Sequence, residues 1–136
     1  MRIPKITILF FGMFAACSGN MRQEHVINDL LLTSSAKEIY SADELEKLSP
    51  QKMNNLLSPD FNPKTDTIKY LKDKIYVSCL IAAPGCAEYL SDITLNGDTI
   101  QMQLVNKGDV VCSELTVWRI KCEIINNQNK RYVFQK

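Results

Sequence analysis

Downstream of Ser58-Pro59-Asp60-Phe61-Asn62-Pro63 the apolar residues recur every second position, and this change of period from about 3.6 to 2 restricts the rest of the chain to β-strands. Six segments carry the alternation: Thr67 to Leu71, Ile75 to Ile81, Tyr89 to Leu95, Thr99 to Val105, Leu115 to Ile125 and Arg131 to Phe134. Their connectors are short and rich in Gly, Pro, Asn and Asp. Asn96-Gly97 predicts a type I′ hairpin, a turn that needs positive φ at both central residues. The expected fold is mainly β: a small antiparallel β-sandwich or partly open barrel of about six strands, occupying residues 65–136.

Residues 26–64 read differently. Ser41-Ala42-Asp43-Glu44 is a capping box ahead of Leu45 and Leu48. Ser49-Pro50 sets a cap residue before a proline at the first helical position. Two short helices follow, each with an apolar stripe too narrow to stand alone, so both should dock on the β domain. The run Leu30-Leu31-Leu32 is too short to show a period and is read as a helical turn leading into a loop.

A sheet domain of this size is marginal without staples. Five cysteines are present, at positions 17, 79, 86, 112 and 122. The spacings of the last four lack a CxxC knuckle, which disfavours zinc and a redox-active pair. Strand phase sets Cys79 with Ile75, Val77 and Ile81, and Cys122 with Trp118, Ile120 and Ile124, so both thiols face the core. Cys86 follows Pro84-Gly85, and Cys112 follows Gly108-Asp109, so both belong to loops. Pairing core with core and loop with loop predicts two disulfides, Cys79–Cys122 and Cys86–Cys112.

The oxidising compartment these bridges need is announced at the N-terminus. Arg2 and Lys5 precede an uncharged run from Ile6 to Ala16, the pattern of a signal peptide over residues 1–16. Its eleven residues would span roughly 16 Å as a helix, about half a bilayer core. Phe14-Ala15-Ala16-Cys17 then resembles the lipobox of bacterial lipoproteins, with Phe14 where the family usually has Leu. The resemblance implies that Cys17 is diacylglycerylated and becomes the mature N-terminus, followed by a polar tether over residues 17–25. The mature chain of 120 residues would carry 14 basic and 15 acidic groups. Near-neutrality and the absence of a basic run argue against nucleic acid and leave lipid on Cys17 as the means of membrane attachment.

No catalytic constellation stands out. His25, the only histidine, lies in the tether, and no HExxH, GxSxG, GxGxxG or phosphate-loop motif occurs. The carboxylates Glu88, Asp92, Asp109 and Glu114 sit near strand ends, where solvated or turn-forming acids are common. No metal or cofactor is expected. Trp118 shares the phase of Ile120 and reads as core. The expected product is an exported, envelope-associated lipoprotein at the outer membrane or cell surface. It would act without catalysis as a binding or structural subunit for an envelope protein or glycan. Pro84, Gly85 and Tyr89, beside the pinned Cys86 loop, are the candidate binding residues. The alternative is an inhibitor of a secreted enzyme that presents the same loop.

Overall fold

The computed structural model describes residues 27–136. The expected signal peptide over residues 1–16, Cys17, the expected tether over residues 17–25 and His25 lie outside the described residues. The architecture is mainly β, with two unclosed sheets and two short helices. Strands β1 (Leu31–Tyr40), β6 (Leu115–Ile125), β3 (Lys74–Pro84) and β2 (Thr67–Tyr70) form one sheet in that order. Strands β4 (Tyr89–Asn96), β5 (Thr99–Asn106) and β7 (Val133–Gln135) form the other. Helices α1 (Ala42–Glu46) and α2 (Pro50–Leu56) lie between β1 and β2 in the chain.

Period-2 alternation builds the core directly. Ile75, Val77 and Cys79 of β3 and Ile120, Cys122 and Ile124 of β6 meet Ile93 of β4 and Ile100 and Met102 of β5 in one buried cluster between the sheets. On the opposite face of the larger sheet, Leu80 and Val117 are covered by Leu45 of α1 and Leu56 of α2. Both helices start as their caps require. The Ser41 hydroxyl accepts from Glu44 N while the Glu44 carboxylate accepts from Ser41 N, and the Ser49 hydroxyl accepts from Lys52 N ahead of Pro50.

Four expectations need correction. The Leu30–Leu32 run enters not a helical turn but strand β1, which pairs with β6 from Leu31 to Tyr40. As an edge strand it exposes Leu32, Thr33, Ser34, Ser35, Lys37 and Glu38 on both of its faces, so it carries no alternation to read. The sheets are not wholly antiparallel, because β7 runs parallel to β5. The chain reaches β7 from β5 only after passing through β6 in the other sheet. The hairpin is shifted by one residue: Asn96 pairs with Thr99, leaving Gly97-Asp98 as the loop. Gly97 has φ +60 and Asp98 is not in the positive region, the pattern of a type II′ turn.

The fourth correction concerns the cysteines. Cys86 and Cys112 are bridged, with Cα atoms 5.5 Å apart. Cys79 and Cys122 are buried free thiols. Register explains this. Cys79 stands opposite Ile120 and Cys122 opposite Val77, so the two are diagonal neighbours rather than partners. Diagonal positions in an antiparallel pair are about 7–8 Å apart, beyond comfortable bridging range. One staple remains, and closing 26 residues it is worth about 3.5 kcal/mol on the chain-entropy model.

Candidate functional site

The bridge joins two of the three connections that carry the chain between the described sheets, β3 to β4 and β5 to β6. Around it the backbone is locked. Gly85 N donates to Glu114 O (2.7 Å), Cys112 N to Gly85 O (3.1 Å) and Lys107 N to Glu88 O (2.8 Å). Cys86 itself adopts φ 61, a left-handed conformation uncommon for a residue with a Cβ. A Cβ on Gly85 would lie 3.2 Å from Cys112 Sγ and 3.3 Å from Thr116 Cγ2, a tight approach that glycine makes without displacing either neighbour.

Aromatic side chains brace this end from inside. Tyr89 is buried, its hydroxyl donates to Pro84 O (2.7 Å), and its ring meets Trp118 edge-on at 5.2 Å. Burial also pushes the Tyr89 hydroxyl's pKa up. Trp118 Nε1 donates to Thr116 Oγ1, which in turn donates to Ala83 O, both at 3.0 Å. Of the three candidate binding residues, Gly85 and Tyr89 are therefore buried framework, and Pro84 alone is exposed. The apolar surface at this end belongs to residues that sequence reasoning did not single out. Val110 is 68% exposed, Val111 55% and Leu115 40%. Beside them a groove of about 360 Å³ is lined by Ala42, Leu45, Glu46, Met53, Ser113 and Leu115. A smaller one of about 250 Å³ opens between Cys86, Glu88, Lys107 and Val110.

The candidate carboxylates do not converge on a shared site. Asp92 is buried, and its Oδ1 accepts from Asn28 N (3.0 Å) and Ile93 N (2.8 Å), fastening the chain ahead of β1 to β4. Glu88, Asp109 and Glu114 are exposed. Glu114 does lie with Cys86 and Cys112, their possible ligand atoms all within 4.8 Å of one another. Sulfurs bonded to each other offer no thiolate, so the oxidised cluster lacks the charge a soft metal needs.

A second polar cluster was not foreseen. Asp66 Oδ2 pairs with Lys136 Nζ at 2.6 Å, with the two side chains only 1% and 2% exposed. Asp66 also accepts from Asn62 N, Leu80 N and Thr65 Oγ1. Lys136 Nζ lies 5.7 Å from the Phe61 ring centre. The partners are 70 residues apart, so no local motif announces them. Nearby, desolvation first, then the Asp66 charge, pushes the Cys79 thiol up to about 12. Desolvation does the same to Cys122, also to about 12. Thiols this far from ionising at neutral pH are poor nucleophiles and poor metal ligands.

Comparison of the chain with protein-family models, with curated proteins and with solved structures finds no match, so its functional reading rests on residues and geometry.

Proposed function

We propose that this chain is an exported, lipid-anchored β-sandwich of a bacterial cell envelope that acts without catalysis, as a binding or structural subunit. One observation supports it most. The Cys86–Cys112 bridge joins exposed, sheet-crossing loops, and such a bond persists in compartments reached by export. The signal peptide and the lipobox-like Phe14-Ala15-Ala16-Cys17 supply a route there, and lipid on Cys17 supplies attachment. The binding end in this reading is the stapled one, where Val110, Val111 and Leu115 expose apolar surface on a backbone held by a covalent bond and cross-loop hydrogen bonds. A pre-ordered loop gives up little entropy on association.

Attachment and contact are tested separately. Cys17→Ala should release the protein from membranes or block its processing, and the wild-type mass should include acyl chains. A mature N-terminus beyond Cys17 with no added mass would end the lipoprotein reading. A photo-crosslinking residue at Val110 should capture an envelope component that the same residue at Val133, 58% exposed on β7, does not. The inhibitor reading draws on exposed Pro84 and Cys86 within the same clamped loop. It requires the captured component to be a secreted hydrolase whose activity falls on binding.

A further inference from the structure

The uncovered face of the four-stranded sheet gathers cations from separate strands. Directly opposed residues share a face, so register defines the array. Lys37 of β1 stands opposite Arg119 of β6, Lys121 of β6 opposite Ser78 of β3, and Lys69 of β2 opposite Tyr76 of β3. Lys37, Lys69 and Lys121 are exposed and Arg119 is half-buried. Lys74 lies on the same face, paired with Glu123 at 2.9 Å. Five strand cations thus share this face with one strand carboxylate, Glu123, although the mature chain as a whole is close to neutral. Arg119 is held by neutral groups, its Nη1 donating to Thr65 O and Ser78 Oγ at 3.0 Å each. Like charges opposed directly, as Lys37 and Arg119 are, cost a sheet stability, so cross-strand pairing does not account for their placement.

The helices occupy only the far end of the face, over Leu80 and Val117, and α1 brings Asp43, Glu44 and Glu46 there. A negative surface would therefore turn the uncovered half toward itself. None of the described cavities is lined by Lys37, Lys69, Arg119 or Lys121. Cations spread over strands about 4.8 Å apart suit an extended anionic surface better than a single small anion.

We propose that this sheet face lies against anionic phospholipid headgroups of the membrane that holds the Cys17 lipid. The proposal rests on the lipid-anchor reading for its choice of surface. Fourteen residues from Cys17 to the start of β1 reach at most about 50 Å, so the bilayer is the anionic surface always within range. Each cation close to such a surface should strengthen residence about fivefold.

The test is amine acetylation of the mature, acylated protein in vesicles of phosphatidylcholine, with and without phosphatidylglycerol. Lys37, Lys69 and Lys121 should react several-fold more slowly when phosphatidylglycerol is present at low salt, and high salt should abolish the difference. Lys107 and Lys130, in the β5–β6 and β6–β7 connections, should be unaffected. Lys37→Glu with Lys121→Glu should remove the protection of Lys69 while leaving the circular dichroism unchanged. Equal rates in both vesicles, or slowing that includes Lys107 and Lys130, would overturn the proposal. Protection by an acidic polysaccharide but not by phosphatidylglycerol would also overturn it, assigning the face to a glycan. Failure to float with pure phosphatidylcholine vesicles would overturn the anchor reading, and protection by phosphatidylglycerol in that preparation would still support the cationic face.

Discussion

The stapled end and the Asp66 flank of this molecule solve one problem, holding distant segments together, by opposite physical means. At the stapled end Cys86 is exposed, and a covalent bond constrains the unfolded chain whatever surrounds it. At the flank, Asp66 and Lys136 gain nothing until they are dry, and their side chains are almost wholly excluded from solvent. The staple leaves its neighbours free to be loops with apolar tips. The ion pair demands a complete shell of donors, which Asn62, Leu80 and Thr65 provide.

Breaking each device should separate the two mechanisms. The largest effect is expected from Asp66→Asn, which strands the buried Lys136 ammonium and should cost about 3–5 kcal/mol in urea unfolding. Lys136→Met should cost less, because Asp66 keeps its three other donors. The double variant should be more stable than the two single losses summed. Strict additivity would show that the pair is not coupled.

Replacing Cys86 and Cys112 by Ser should cost about 3.5 kcal/mol. Because the bond acts largely on the unfolded state, the loss should equal that of the wild type under reductant, and the two should not add. A further loss when the Ser variant is reduced would point to a second bridge.

The free thiols predict a pH dependence. Their folded pKa values, pushed up to about 12, lie above the unfolded value of 9.0. Between those limits the folded state holds more protons than the unfolded one, so stability is intact below pH 9 and declines as pH rises toward 12. Tyr89, shifted in the same direction, adds to the decline. A Cys79→Ala, Cys122→Ala variant should be less stable at neutral pH but lose less of its midpoint on alkalinisation. An equal slope would remove the thiols from the account.

The smallest effect belongs to the helices. Ser41→Ala removes the α1 cap and should cost about 1 kcal/mol. The change should loosen the packing of Leu45 over Leu80 and Val117 while leaving the flank and the staple untouched, as amide exchange in each region would report.

What the sequence made legible follows from which interactions are local. Caps at Ser41 and Ser49 act within four residues, and the alternation in β3, β4, β5 and β6 sets Ile75, Val77, Ile93, Ile100, Ile120 and Ile124 into the core between the sheets, so both were readable. Strand β1 escaped because an edge strand with polar residues on both faces has no period. The Cys86–Cys112 pairing was inferable from loop position alone. The Cys79–Cys122 prediction failed because phase gives the face and only register gives the neighbour. The same limit hid the Asp66–Lys136 pair and the cationic grid, both assembled from residues far apart in sequence. Tyr89 was placed at the right end of the molecule, but its alternation with Leu90 could not tell a framework ring from a presented one.

Differential alkylation of the protein purified without reductant, native and then denatured, followed by non-reducing peptide mapping, tests most directly the claim that one covalent staple and a dry interior hold this fold. The prediction is a single Cys86–Cys112 linkage, with Cys79 and Cys122 unreactive in the native protein and both labelled after unfolding. A Cys79–Cys122 linkage, or native labelling of either buried thiol, would contradict it.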